Sequence, residues 1–323
     1  MKSALITGIT GQDGRYLAEH LASLGYAVHG MVRGQRNPNA DAVRREQPYV
    51  NLIAGDLSDP VSIARVLDRT APDELYNLAA ISFVQFSFEH PLLTADVSGV
   101  GTLRLLEAIR SAGSNTTRFY QASTSEMFGA AIESPQNETT PFHPRSPYGS
   151  AKVFAHHTTV NYRESYGIYG VGGILFNHES PRRGLEFVTR KITYHAAGVK
   201  LGRLNRVELG NLDAQRDWGF AGDYVKAMHL MLQQSEPRDY VIGTGEMHSV
   251  REFAEVAFAH VGLDWRQHVA IAETHKRPAD VNTLCADSSL ARKELNWKPT
   301  IGFEQLVAMM VDSDMSVWKA NAN

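Results

Sequence analysis

A glycine-rich turn between a short apolar segment and an amphipathic one most constrains what this chain can fold into. Residues 3–7 have strand character, residues 8–14 read Gly-Ile-Thr-Gly-Gln-Asp-Gly, and a helix is predicted over 14–24. Glycines in such a turn permit a tight bend and close approach of a pyrophosphate, whose charge the helix N-terminus meets. The pattern predicts a dinucleotide site lined by Gly8, Thr10, Gly11, Gln12, Asp13 and Gly14. An ordinary βα turn can show the same three-glycine spacing, so the spacing alone does not decide.

Strand and helix patterns alternate through the first half of the chain, which is typical of a parallel sheet covered by helices. Further strands are predicted at 27–32, 50–54, 74–78, 118–122 and 170–176, and helices at 61–71, 96–112 and 148–166. After about residue 180 the rhythm becomes irregular, with helices at 188–198 and 224–234 and a capping box at 249–252 that opens a helix ending near 262. The segments 34–41 and 133–147 are predicted loops.

The predicted fold class is α/β: a Rossmann-type doubly wound parallel sheet with a smaller C-terminal α/β substrate-binding lobe. We expect a dinucleotide-binding domain over 1–178 and the lobe over 179–323, with some later segments returning to the sheet. Ligands bind at the carboxyl ends of parallel strands, so a lobe over that edge would close a cleft.

Composition narrows the partners and the compartment. The chain has 323 residues, and its 32 Lys and Arg against 35 Asp and Glu give a formal charge of −3. No strong global field therefore draws it to nucleic acid or to an anionic membrane, and a bound polyanion must meet a local cluster of cations. No apolar run approaches the roughly 18 residues of a membrane span, and no signal peptide is expected. The single Cys285 excludes an intrachain disulfide and fits a reducing cytoplasm.

The end of the second strand indicates which dinucleotide binds. An acidic residue there would bond the ribose 2′-hydroxyl of NAD, but this chain has Val32-Arg33, with Arg36 close behind. This favours the 2′-phosphate of NADP, although Arg33 can also be read as a solvated loop cation. Asp56 and Leu57, just past the third strand, are placed to flank the adenine.

Polar side chains with catalytic potential follow the fifth strand and begin the next long helix. Tyr148 and Lys152 are spaced i, i+4 and share one helix face, and a neighbouring cation lowers a tyrosine's pKa enough to make it a base. The pair alone proves little, because its chance frequency in this chain is appreciable. Thr124 and Glu126 end the fifth strand at the edge where chemistry occurs in this architecture, although Glu126 can also be read as a loop carboxylate.

Longer blocks carry a resemblance to a known family. They include Asn-Leu-Ala-Ala (77–80), Phe-Tyr-Gln-Ala-Ser-Thr-Ser-Glu (119–126), Pro-Arg-Ser-Pro-Tyr (144–148) and Ile-Leu-Phe-Asn-His-Glu-Ser-Pro-Arg-Arg-Gly (174–184). Similar blocks continue at 187–191, 209–214 and 216–219. Together with the glycine turn they resemble the GDP-mannose 4,6-dehydratases of the extended short-chain dehydrogenase/reductase family. The two long blocks are specific to this group, whereas the glycine turn and the Tyr-x-x-x-Lys pair mark only the superfamily.

This resemblance implies a redox-neutral dehydration of GDP-mannose. Tyr148 would take the C4 hydroxyl proton while hydride passes from C4 to NADP, and Thr124 would bond the developing ketone. Glu126 would remove the C5 proton and help the C6 hydroxyl leave as water, after which hydride returns to C6. Lys152 would hold the nicotinamide ribose and tune Tyr148.

The resemblance also assigns binding residues. Cofactor contacts would come from Leu78, Ala79, Ala80, Ser82, Lys152, His178 and Arg183. Substrate contacts would come from Ser82, Thr124, Glu126, Tyr148, Asn177, Lys191, Arg216, Arg277 and Asp280. Taken singly, His178 can be read as a structural histidine and each cation as a surface charge paired with a neighbour. No metal site is expected.

Two residues depart from the family pattern. Ile81 replaces a glutamine and Leu93 a tyrosine, and both positions are expected near the cofactor or sugar, so the hexosyl group stays open. The loop after Arg33 is short for the family, where that segment helps to build a tetramer, and this leaves the choice between homodimer and homotetramer open.

Other functions are compatible with the same build. A GDP-heptose 4,6-dehydratase, a GDP-sugar reductase or a GDP-sugar epimerase would share the fold and the cofactor. A reductase or a 4-epimerase has no need of a carboxylate at the C5 proton, so Glu126 favours dehydration. A non-catalytic NADP-sensing protein should lack the tyrosine, the lysine or the glutamate, and all three are present.

Overall fold

The computed structural model describes residues 1–34, 37–113, 116–272 and 283–320. The strands in these ranges are β1 Ser3–Thr7, β2 Ala27–Val32, β3 Asn51–Ala54, β4 Glu74–Asn77, β5 Arg118–Thr124, β6 Gly170–Leu175, β7 Asn177–Glu179, β8 Val207–Leu209, β9 Gln215–Phe220, β10 Tyr240–Ile242, β11 Met247–Ser249, β12 Val269–Ile271 and β13 Thr283–Leu284. The α-helices are α1 Gln12–Ser23, α2 Pro38–Glu46, α3 Pro60–Thr70, α4 Val84–Glu89, α5 Pro91–Ala95, α6 Gly101–Ser111, α7 Pro147–Tyr166, α8 Val188–Lys200, α9 Ala221–Leu232, α10 Val250–His260, α11 Ser289–Glu294 and α12 Phe303–Ala320.

Seven parallel strands form the large sheet in the order β10-β6-β5-β4-β1-β2-β3. All residues of β4 and β6 are buried, as expected for strands that helices cover on both faces. The strand order reverses between β1 and β4, and the carboxyl ends of the strands meet at one edge, where ligands bind in such sheets. The predicted Rossmann-type α/β fold is confirmed.

Helices cover both faces of the large sheet. On one face α1 packs against α9, where Leu17 and Leu21 join Val225 and Met228 in one core. On the other face α3 and α6 contribute to a second apolar core. Because α9 and β10 follow residue 178 in the chain, part of the C-terminal half belongs spatially to the large sheet. The domain division at residue 178 stays a prediction.

A smaller α/β lobe lies at the carboxyl edge. It contains a sheet with the path β11-β9-β13, to which β7 adds through β9, and a two-stranded pair β12-β8. Helices α8, α10 and α12 pack together, with Phe253, Phe258, Leu306 and Met310 in their core. The predicted capping box is confirmed: Ser249 accepts from Glu252 N at 3.1 Å, and the Glu252 carboxylate accepts from Ser249 N at 2.6 Å.

Two local predictions need correction, and one long helix was missed. The predicted loop over 34–41 is wrong in its second half, because α2 begins at Pro38; Asn37 caps it by accepting from Asn39 N at 3.0 Å. Asn and Pro interrupt a helix interior, but they also begin helices. The helix predicted over 96–112 opens with a wider π-helical turn at Asp96–Val100. The long helix α12 was not predicted at all. In the part of the chain that the structure describes, no helix has the length and apolar character to cross a membrane.

Candidate active site

At two of its glycines the β1–α1 turn has no room for a side chain. Gly8 has a φ of +73°, and a Cβ there would lie 2.8 Å from Ala79 N. A Cβ on Gly14 would lie 2.4 Å from Gly8 O, so the turn and the helix touch. Gly11 caps α1 without a side-chain hydrogen bond, which leaves N–H groups of the first turn to bind an anion. This geometry fits the pyrophosphate of a dinucleotide.

A buried amide network holds the strand ends beside this turn. The Thr7 hydroxyl donates to Asn77 Oδ1 at 2.7 Å, and Asn77 Nδ2 donates to Gln121 Oε1 at 2.8 Å. Ala79 N in turn donates to Thr7 Oγ1 at 3.1 Å. The ends of β1 and β4 are therefore fixed beside the middle of β5, and the segment that contains Ala79 is anchored against Gly8.

The four predicted catalytic residues converge where β5 ends and α7 begins. Thr124 and Tyr148 lie side by side, close enough for the Thr124 hydroxyl to lower the pKa of the phenol, and Glu126 N donates to Thr124 Oγ1 at 3.3 Å. Lys152 Nζ donates to Ala122 O at 2.7 Å and lies 5.8 Å from the centroid of the Tyr148 ring. Ser146 caps α7 by accepting from Gly149 N, and Pro147 occupies its first turn, so α7 begins at this edge.

Burial controls the protonation of the Tyr–Lys pair. It lowers the pKa of Lys152 to about 8, with a small opposing effect from Asp13. It also raises the pKa of Tyr148, contrary to the lowered value that the Tyr–Lys spacing predicts. The Thr124 hydrogen bond and the Arg183 charge partly counter that rise. The Glu126 and Asp13 carboxylates add to the rise.

A second polar group surrounds β7. His178 Nε2 lies 2.8 Å from Asp13 Oδ2, and Arg183 Nε lies 3.1 Å from Glu179 Oε2. Glu179 is buried and also accepts from the Thr189 hydroxyl at 2.6 Å. The Arg183 guanidinium covers the ring of Phe187 at 3.5 Å from its centroid. Both side chains are thus held in fixed places by buried or half-buried carboxylates.

These residues line one cleft of about 390 Å³ between the large sheet and the lobe. Of the predicted site residues, it brings together Asp13, Leu78, Ala80, Ser82, Thr124, Glu126, Tyr148, Lys152, Asn177, His178, Arg183, Lys191 and Arg216. Burial lowers the pKa of Lys191, partly offset by Glu208. Arg216 is buried on β9, where its Nη1 donates to Gln215 O at 2.8 Å.

The remaining predicted residues lie elsewhere. Gly8, Thr10, Gly11, Gln12, Gly14 and Ala79 form or contact the glycine turn. Arg33 is exposed at the end of β2 and acts on Asp56, whose pKa stays low despite burial because Ser58 donates to it and Arg33 lies near. Leu57 packs in the core with Leu5 and Met31. Arg36, Arg277 and Asp280 lie outside the described residues.

Comparison with known proteins identifies the family. The model of the GDP-mannose 4,6 dehydratase family matches residues 5–310. GDP-mannose 4,6 dehydratase 1 of Arabidopsis thaliana is 54% identical, over 98% of this chain and 91% of that protein. The chain belongs to the GDP-mannose 4,6-dehydratase family. The human GDP-mannose 4,6 dehydratase is 49% identical, over 99% of this chain and 93% of its own length.

Solved structures extend the likeness to related enzymes. The Thermus thermophilus UDP-glucose 4-epimerase, in complex with NAD, has a TM-score of 0.84 and 27% identity over 97% of this chain and 98% of its own. The Bacillus anthracis dTDP-glucose 4,6-dehydratase in complex with NAD has a TM-score of 0.85 over 99% of this chain and 98% of its own. At 19% identity the second likeness shows the fold alone.

The residues of one wall of the cleft were not predicted from the sequence. Leu209, Gly210, Asn211, Ala214 and Val250 line it from the lobe. Four of them lie in the block 209–214 that carries the family resemblance, so the block itself is the signal that could have found them. Of the two departures, Leu93 is 44% exposed on α5, and Ile81 N donates to Ser98 Oγ at 2.9 Å.

Proposed function

We propose that this chain catalyses the dehydration of GDP-mannose to GDP-4-dehydro-6-deoxy-mannose. The observation that carries the proposal is the convergence of Tyr148, Thr124 and Glu126 in one cleft of a dehydratase-family fold. The three side chains offer a proton acceptor, a hydroxyl donor and a carboxylate at the same strand end. Such a set suits two successive proton removals, first from the hydroxyl on one carbon and then from the neighbouring carbon.

Each side chain has a distinct role in this proposal. Tyr148 removes the proton of the C4 hydroxyl, and the Thr124 hydroxyl hydrogen-bonds the oxygen as it becomes a ketone. The ketone acidifies C5, and Glu126 then takes the C5 proton and assists departure of the C6 hydroxyl as water. A bound nicotinamide cofactor supplies the chemistry of accepting hydride from C4 and returning it to C6. Lys152, fixed by Ala122 O, orients the cofactor ribose and Tyr148.

Cations in the lobe neutralise the substrate diphosphate. Lys191 on α8 and Arg216 on β9 both line the cleft, and Asn177 adds a neutral donor from β7. Because the molecule is acidic overall, with a formal charge of −3, this local positive charge is what can draw a dianionic diphosphate into the cleft. Arg277 and Asp280 remain sequence-based assignments to the nucleotide.

A nicotinamide cofactor is supported by the glycine turn and by the NAD-bound epimerase neighbour at 27% identity, and within that class we propose NADP. Arg33 is exposed at the end of β2, where a 2′-phosphate can approach it. Arg33→Ala should weaken NADP binding roughly tenfold and leave NAD binding unchanged, since a charge-assisted hydrogen bond contributes about 1.5–3 kcal/mol. Titration calorimetry with both cofactors measures this, with exposed Arg65→Ala on α3 as the control. Equal wild-type affinity for the two cofactors contradicts the assignment.

Glu126→Gln tests the dehydration itself. It preserves the shape of the side chain and removes the base, so the reaction should stop after oxidation at C4, and reduced nicotinamide should accumulate on the protein. When hydride returns to C6, C5 must regain a proton, which comes from solvent, so wild-type product formed in deuterated water should carry one solvent deuterium at C5. Glu164→Gln, exposed on α7, is the matched control and should keep normal turnover. Near-normal turnover in Glu126→Gln, or no deuterium at C5, would contradict dehydration and favour the reductase or epimerase alternative.

Assembly and location stay predictions of the sequence. A homodimer or homotetramer and a cytoplasmic location are what the family resemblance and the single Cys285 indicate.

A further inference from the structure

Both ring nitrogens of His178 face hydrogen-bond acceptors. Nδ1 lies 2.7 Å from Phe176 O, a carbonyl that can only accept. Nε2 lies 2.8 Å from Asp13 Oδ2, and an ionised carboxylate can only accept. A neutral imidazole carries a single N–H and satisfies one of the two, whereas an imidazolium satisfies both. The geometry thus selects the doubly protonated ring.

The face of the His178 ring is fixed as well. It stacks on Tyr224 with ring centroids 4.6 Å apart and planes 24° apart. Tyr224 is fully buried and meets Trp297 edge-on at 5.8 Å. A Cβ on Gly219 would lie 2.5 Å from Tyr224 Cε2, so a larger residue at position 219 would displace the tyrosine ring. The contacts at both ring nitrogens and the stacking on one ring face therefore hold the imidazole in one orientation.

Gln12 extends the contact from the side chain to the backbone. Its Nε2 donates to His178 O at 3.0 Å and to Asp13 Oδ1 at 3.0 Å. The Ser180 hydroxyl donates to Gln12 Oε1 at 2.7 Å. Through these hydrogen bonds the first turn of α1 holds the segment 177–183 in place. Asn177, His178 and Arg183 of this segment line the cleft.

We propose that Asp13 is a positioning residue, which holds His178 as an imidazolium and, with Gln12, fixes the segment 177–183 against the glycine turn. The inference rests on the proposed function, because Asp13 would link the cofactor-binding side of the cleft, at the glycine turn, to the substrate-binding side. A ligand that orders the glycine turn then also orders the wall that contains Asn177 and Arg183. By linkage, cofactor and nucleotide should each strengthen the binding of the other by the same factor.

The charges around His178 agree with this geometry. Burial disfavours the imidazolium, but the Asp13 carboxylate and its hydrogen bond outweigh that effect, and the pKa of His178 is raised. Arg183, in the turn after β7, opposes the shift with its like charge. Tyr224 of α9 presents its ring face. The pKa of Asp13 is lowered, because the effects of His178, Gln12 and Arg183 exceed the cost of its burial.

Two measurements test the proposal. Nitrogen-15 NMR of the histidine side chains, with the His178 signal assigned from a His178→Gln variant, should show a doubly protonated ring at pH 7. Asp13→Asn should lower the proton affinity of His178 at least tenfold. Calorimetric titration of GDP, with and without saturating NADP, should show tighter binding with NADP in the wild type. That gain should fall several-fold in Asp13→Asn and equally in His178→Gln.

Asp239→Asn is the matched control. Asp239 pairs with Arg163 at 2.9 Å and accepts from Gly172 N at 2.6 Å, and it does not line the cleft. Its loss should lower the unfolding temperature and leave both readouts unchanged. A neutral His178 ring in the wild type, or an unchanged GDP–NADP coupling in Asp13→Asn, overturns the proposal. A wild-type chain that binds no GDP contradicts the proposed function instead, and the NMR result then decides the role of Asp13 alone.

Discussion

Tyr148 shows how much of a single side chain's role can be predicted from residue type and spacing. The i, i+4 spacing to Lys152 places both on one helix face, and both line the cleft. The spacing does not reveal burial, and burial decides the direction of both pKa shifts. Nor can it reveal the partners that counter the shift of Tyr148, because Arg183 belongs to a different part of the chain.

Tyr148→Phe should slow turnover strongly and preserve binding. The variant removes only the hydroxyl, and general base catalysis contributes roughly 10²–10⁴-fold to rate, so kcat should fall by about that factor. The Kd for GDP-mannose should change little, because most binding groups remain. Tyr162→Phe is the control on the same helix, where the lost hydroxyl bonds Glu107 far along α7 from the catalytic residues. Normal kcat in Tyr148→Phe would mean that another group takes the C4 proton.

Local patterns predicted elements well where one short segment determines the structure. The range predicted for β1 is the observed Ser3–Thr7, and the capping box opens α10 at Val250. Prediction failed where the same residue types serve two purposes, as at Pro38, which begins α2 inside a predicted loop. The sequence-based prediction also omitted α12, although Phe303, Leu306, Val307 and Met310 have the i, i+3, i+4, i+7 spacing of an amphipathic helix.

The glycine turn offers a test at the scale of an element. Gly14→Ala would place a Cβ 2.4 Å from Gly8 O and 2.6 Å from Ile9 Cα, both backbone atoms that cannot turn aside. The turn must then shift, at a cost on the order of 1–3 kcal/mol. We expect NADP affinity to fall roughly tenfold or more, measured by calorimetry. Gly302→Ala, where a Cβ meets nothing within 4 Å, is the control and should bind NADP normally. Unchanged NADP affinity in Gly14→Ala would mean that the pyrophosphate does not bind at this turn.

At the scale of the whole molecule, contacts between distant segments build the cleft. Arg190 on α8 donates to both Asp314 oxygens from Nε, at 2.8 and 3.0 Å, and Nη1 donates to Arg183 O at 3.1 Å. Thr193 donates to the same carboxylate at 2.7 Å. The C-terminal helix α12 thus supports the turn that contains Arg183. No sequence spacing could have predicted this support, since Asp314 lies 124 positions from Arg190.

The proposed reaction predicts the fate of one hydrogen atom. The large sheet and the lobe both line the cleft of about 390 Å³, and we expect an oxidised sugar intermediate to stay bound there until the reaction ends. GDP-mannose deuterated at C4 should therefore give product deuterated at C6. Mixing this substrate with GDP-mannose labelled with carbon-13 and free of deuterium tests retention, because mass spectrometry can show whether deuterium crosses between molecules. We expect deuterium only in the product without carbon-13, in the wild type and in the Glu164→Gln control alike. Deuterium in the carbon-13 product would mean that the sugar or the cofactor leaves the cleft between the two hydride transfers, and deuterium lost to water would contradict direct transfer from C4 to C6.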